Sequence, residues 1–245
     1  MSEELIELFE QGLIGIGIWE TIYMTALSTI IAYVLGLPLG ILLNITDKDG
    51  LTPVVWLNKS ISVIVNILRS IPFIIMMVAF LPVAKFLVGT SIGNPAMIVM
   101  LVIAATPYVA RMVESSLKEV NKGVIEAAKS MGASNFKIII KVILPEALPS
   151  LIVGAVISTV TIVGYVAMAS TIGAGGLGKI AIVNGYSRFN QDVIWVSVFF
   201  IVIIVQVIQE AGMFLAKSID KRIIGKSGKA FFRSKPKRAK ADNNL

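Results

Sequence analysis

The chain contains no cysteine and no histidine. The first absence excludes disulfides and thiolate metal sites. The second removes the commonest general base, the commonest metal ligand and the one side chain whose charge ordinarily changes near neutral pH. Charge is scarce as well. Of 245 residues, 15% are Asp, Glu, Lys or Arg against 56% hydrophobic, and the mean hydropathy is +0.85. A soluble core of this size does not need that much apolar surface, so the class is an all-α, polytopic membrane protein. Catalysis within the chain is not expected, nor a cofactor or metal site of its own.

Five stretches are long enough to cross a bilayer, which takes about 20 apolar residues in helical form. They lie near residues 20–44, 57–83, 92–113, 147–170 and 193–216. Residues 1–19 carry Glu3, Glu4, Glu7 and Glu10 and no Lys or Arg. Without a basic start or a small-residue cleavage site, this stretch reads as a retained external segment. If the N-terminus is outside, 18 of the 22 Lys and Arg fall on the inner side, three fall outside, and Arg69 lies within a span. Positive charge marks the cytoplasmic side, so the C-terminus is expected inside. The net charge of +7 belongs largely to a basic tail, residues 218–245. That tail reads as an anchor against anionic lipid, at about 1 kcal/mol per basic residue near the surface, rather than as a nucleic-acid site.

The most informative stretch is the polar interruption at 114–146, between the third and fourth spans. Lys118, Lys122, Lys129, Lys137 and Lys141 alternate there with Glu119 and Glu126, so the loop is expected in water. Asn121 is placed to cap a helix through Val124, Ala127, Ala128 and Met131, apolar at helical spacing. Gly132 suits the left-handed residue that ends such a helix, and Ser134 can cap the next. The apolar stripe resumes at Phe136, Ile139, Ile140 and Ile143 and runs to Pro145. Ala127 and Ala128 would give this helix–turn–helix a small-residue face that a partner could approach closely.

Glu126-Ala127-Ala128, then Gly132, then Ile143-Leu144-Pro145 resembles the cytoplasmic loop of ABC-importer permeases. The resemblance covers about residues 20–217. It is closest to the methionine-importer type, through Arg69-Ser70-Ile71-Pro72-Phe73, Gly164-Tyr165-x-Ala167-Met168-Ala169 and Gly173-Ala174-Gly175-Gly176-Leu177-Gly178. It implies a type I importer permease fold with five transmembrane helices. The segment Glu126, Ala127, Ala128, Met131 and Gly132 would then be a coupling helix that docks on an ATPase. It also implies a homodimer, two cytoplasmic ATP-binding subunits, an external substrate-binding protein and a small amino acid, methionine, as cargo. The tail beyond Lys226 lies outside the resemblance.

The fourth span has the composition of a passage. No charge occurs from Ala147 to Gly178, and small or hydroxyl residues recur at Gly154, Ser158, Thr161, Gly164, Ala167 and Ser170. Such residues serve close helix packing or offer polar groups to a pathway. Ser158 and Thr161 are candidate lining residues, with Tyr165 and Met168 as bulky candidates to line or close it. Arg69 stands about a dozen residues into the second span. Charge that deep costs at least about 2.5–3.5 kcal/mol and should face water or a partner such as Glu114 or Glu210; it either lines the pathway or fixes packing. Gly36-Leu37-Pro38-Leu39-Gly40 predicts a kink or close packing. Gln206, Gln209 and Glu210 predict interhelical hydrogen bonds. The stretch 173–178 fits G-x-G-x-x-G, but no strand precedes it and Ile180 replaces the Ser/Thr of a phosphate loop. It reads as a flexible outer loop where a delivery protein docks. An ion-coupled secondary transporter is the competing class. It lacks support, because neither an internal repeat nor a mid-span Asp is seen.

Overall fold

The computed structural model describes residues 3–220; the basic tail from residue 221 on lies outside them. Among the described residues the ordered elements are helical. They are α1 (Glu3–Glu10), α2 (Leu13–Thr46), α3 (Val55–Ser70), α4 (Phe73–Val88), α5 (Asn94–Lys118), α6 (Lys122–Ser130), α7 (Asn135–Ile138), α8 (Leu144–Ala169), α9 (Leu177–Lys179) and α10 (Gln191–Ile219). Four helical stretches are long and apolar enough to cross a membrane, and α3 with α4 makes a fifth if the bent pair counts as one span.

Helix α5 is the axis. In its apolar window 61% of residues are buried, against 11% in α10, so α5 is enclosed by neighbours while α10 shows most of its surface to the surroundings. The closest neighbour is α2, and the Gly36/Gly40 pair explains why. A Cβ on Gly36 would meet Val109 and the carbonyl of Thr106, and one on Gly40 would meet Val113 and the carbonyl of Ala110. Two glycines four apart let the helix backbones approach, a frequent device where lipid supplies no hydrophobic drive. The motif therefore serves close packing. Buried Met24, Ala32, Met77, Met97, Leu101 and Val109 fill the core that α2 and α4 share with α5.

Three expectations are corrected. The second span is not one straight helix. Proline disfavours helical backbone at the residue before it, and Ile71 is extended (φ −79°, ψ 127°), so the chain bends by 111° between α3 and α4. Arg69 therefore sits in the last turn of α3, at the bend, and is exposed. The helix of the fourth span does not begin after Pro145 but runs continuously over Asn135–Ile172. A π-helical turn at Ile139–Ile143 makes this feasible. The Leu144 N–H donates to the Ile139 carbonyl, widening the helix ahead of a proline ring that would otherwise crowd the preceding turn. The stretch after 173–178 is also helical, with α9 continuing into a π-helical segment at Ile180–Tyr186.

Candidate coupling and passage sites

Helix α6 follows α5 after a tight turn, and its ends are built as the residue types dictate. The Asn121 side chain accepts from the Gly123 N–H at 2.8 Å. At the other end Gly132 is left-handed (φ 77°). Its N–H donates to the Lys129 carbonyl and that of Ala133 to the Ala128 carbonyl, the paired bonds that close a helix at a glycine. Ser134 then caps α7, accepting from Lys137.

The faces of α6 differ from the expectation in one respect. Ala128 is buried (4% exposed) against the chain's own core, with Ile125 packed beside it. It is not available to a partner. Val124, Glu126, Ala127, Met131 and Gly132 are exposed, and Met131 and Phe136 stand out at 81% and 71%. Val124, Ala127 and Met131, at helical spacing on α6, and Phe136 on α7 are thus exposed apolar side chains. Beside α6 a cavity of ≈ 380 Å³ is lined by Asp47, Asp49, Lys122, Glu126 and Lys129.

The root of α6 is held by charge. Lys118 Nζ lies 2.9 Å from Asp47 in the α2–α3 turn and 2.8 Å from Glu114 one turn back on α5. Hydrogen bonding from Lys118 holds the Asp47 carboxyl below its ordinary range. Glu114 is buried and also pairs with Arg111 at 2.5 Å. Neither Glu114 nor Glu210 meets Arg69. Glu210 accepts from Gln206 of its own helix at 3.1 Å, so the interhelical bond expected of that pair is intrahelical.

Helix α8 divides its residues between two faces. Ile157, Gly164 and Met168 are exposed, with Thr161 half-buried between them, a 4-3-4 spacing that sets all four on one side. A Cβ on Gly164 would meet nothing. Ser158 lies beside this face and turns inward: it is fully buried, donates to the Gly154 carbonyl at 2.8 Å and accepts from Tyr33 at 3.4 Å. Ser158 therefore braces α8 against α2 and leaves the open face to Thr161, Gly164 and Met168. Tyr165 is half-buried with its ring stacked on Phe73. Phe73 escaped sequence reading because only the bend brings it to α8.

At the opposite end the glycine-rich loop is fastened rather than flexible. Asn94 donates to Glu20 at 2.8 Å; the Gly175 N–H donates to Asn94, the Gly176 N–H to Glu20 and the Leu177 N–H to Thr21, at 2.7, 2.7 and 2.9 Å. A Cβ on Gly175 would collide with the Glu20 carboxylate, and Gly176 has φ 89°. Glycine here permits close approach. Glu4 of α1 joins the same end of the bundle through Arg188 at 2.8 Å.

Comparison with known proteins gives these sites a context. Residues 36–225 match the family model of the binding-protein-dependent transport system inner membrane component. The chain is 47% identical over 204 residues to a probable D-methionine transport system permease protein of Vibrio cholerae, covering 83% of this chain and 91% of that one. It is 48% identical over 204 residues to the methionine import system permease protein of Bacillus subtilis, covering 83% and 92%. Among solved structures, an inward-facing methionine ABC transporter chain superposes with a TM-score of 0.85 at 43% identity, covering 90% of this chain and all of that one. An amino-acid ABC transporter at 17% identity shares the fold, with a TM-score of 0.73. The chain thus belongs to the binding-protein-dependent transport system inner membrane components, the membrane-embedded subunits of such systems.

Proposed function

We propose that the chain is the translocating subunit of an ATP-driven importer of methionine. It would act as a homodimer with two ATP-binding subunits at the α6 end and a substrate-binding protein at the α9 end. The observation that carries this is α6: a capped helix on the polar end of a membrane bundle, its inner face fixed to the chain's core and its outer face apolar and open. The titles of the similar proteins supply the cargo; the uncharged open face of α8 is compatible with a small zwitterion. The charge split supports an N-terminus outside and a C-terminus and α6 in the cytoplasm.

In this reading Glu126, Ala127, Met131 and Gly132 meet the ATPase, and Ala128 seats α6 on the bundle. Thr161, Gly164 and Met168 face the passage, Met168 closing it opposite its copy in the second subunit. Tyr165 and Arg69 stand at its edge. The fastened loop 173–178 offers the binding protein a rigid platform. Residues 221–245 would hold the inner leaflet by charge.

The test is purification from membranes followed by reconstitution. An ATP-binding subunit should copurify, and vesicles holding both should take up labelled methionine only with ATP and the binding protein. Uptake driven by a proton gradient with this chain alone would overturn the reading in favour of a secondary transporter.

A further inference from the structure

Four charged side chains form a continuous chain between the root of α6 and helix α3. Asp47 meets Lys118, Lys118 meets Glu114, and Glu114 meets Arg111. Arg111 then leaves its own helix, its Nη2 donating to the Asn66 Oδ1 at 3.0 Å and to the Ser62 carbonyl at 3.3 Å, both on α3.

The near end of this chain is firmly set. The α2–α3 turn is tied down by Thr52 and Val54, whose N–H groups donate to the carbonyls of Ile45 and Thr46, and by Asn58, which donates to the Leu43 carbonyl. The far end is different. Helix α3 buries only Val65, which clusters with Leu43 and with Ala110 of α5, while Leu68 lies against the main core; to this the Arg111 bonds add two directed contacts from α5. Arg111 Nε is buried without a partner among the described residues, so the side chain is held there at a cost, which a helix-to-helix role explains better than general solubility does. Beyond Ser62 and Asn66, α3 ends at the 111° bend, and the first residue of α4, Phe73, stacks on Tyr165.

We propose that Asp47, Lys118, Glu114 and Arg111 are positioning residues that transmit a displacement of α6 to α3, and through the bend to Tyr165 on the passage helix. This rests on the importer reading, in which α6 is where the ATPase acts. Apolar packing would let α3 slide against α5. Arginine bonds to a backbone carbonyl and to an amide fix direction as well as distance.

The test uses the reconstituted complex of permease, ATP-binding subunit and binding protein, and reads the ATP hydrolysed per substrate imported. Asp47→Asn is chosen because that carboxylate is 30% exposed, so its loss leaves no deeply buried charge. Arg111→Lys keeps the charge beside Glu114 and loses the reach to Ser62 and Asn66. Each should leave assembly and ATP hydrolysis near wild type and lower import about tenfold, within the span usual for coupling between sites. Asp47→Glu should restore import. The double variant should be no worse than the worse single one, since both interrupt one device. Losses that multiply, or an unchanged ATP-to-substrate ratio in assembled variants, would overturn the proposal. Wild-type vesicles that fail to import with their ATPase bound would overturn the importer reading itself.

Discussion

The rings of Phe73 and Tyr165 lie 4.1 Å apart and within 8° of parallel, so the residue that restarts the chain after the α3–α4 bend is fixed to the helix that carries Met168. In the proposed reading, a displacement at the bend is passed to the face of α8 through these two rings. Phe73→Leu should fold, lose about 0.5–1.5 kcal/mol of stacking, and raise passive methionine leak in vesicles. Tyr165→Leu should do the same, and the pair should not add. Independent, additive effects would separate the two residues.

Met168 is 45% exposed on the open face of α8. Met168→Ala removes the largest flexible side chain there and should raise basal leak severalfold while thermal stability holds. Unchanged leak in reconstituted vesicles would remove it from the closure.

The α6 end depends on a backbone that only glycine adopts readily. At φ 77° a β-branched residue is strained by roughly 1–2 kcal/mol. No atom lies within 4 Å of a Cβ there, so the strain is conformational rather than steric. Gly132→Val should insert normally and lose most ATP-driven import. Gly132→Asn, tolerant of left-handed backbone, should keep most of it.

Much of this was legible in the residues. Asn121, Gly132 and Ser134 announce the boundaries of α6 because capping is local chemistry. The Gly36/Gly40 pair pointed to a kink or to close packing, and the approach of α5 selects the second. Which face of α6 points inward was not legible: Ala127 and Ala128 are adjacent and chemically identical, and only the position of α7 and the π-helical turn after it selects Ala128. The bend was half legible. Pro72 signals a break, but continuous apolar composition on both sides reads as one crossing. Ser158 and Thr161 are similar side chains one turn apart on α8, one buried and one bordering the open face, and the partner Tyr33, 125 positions away, separates them.

At the other end of the bundle, Gly175→Ala should unfasten the loop, since a methyl cannot share the space of the Glu20 carboxylate. Buried donors left unpaired cost about 1–3 kcal/mol each. A lower melting temperature, and loss of the stimulation of ATP hydrolysis by the binding protein, are the expected readouts. A wild-type response would make the loop a passive connector.

The Asp47–Lys118 pair sets a pH dependence. With the folded pKa of Asp47 lowered, its contribution is present above the unfolded value of about 3.9 and is lost as pH falls through the folded one. The stability difference between wild type and Asp47→Asn should hold steady from pH 8 to about 5 and shrink below about 4. A difference that vanishes near neutrality would assign it to another group.

The absence of cysteine makes the central claim directly measurable, because one introduced thiol is the only one in the chain. Ala127→Cys places it on the open face of α6. In intact cells an impermeant thiol reagent added outside should leave it unlabelled. In inverted vesicles stripped of the ATPase the reagent should label it, and rebinding the ATPase should protect it. Labelling from outside, or equal labelling with and without the ATPase, would contradict the account.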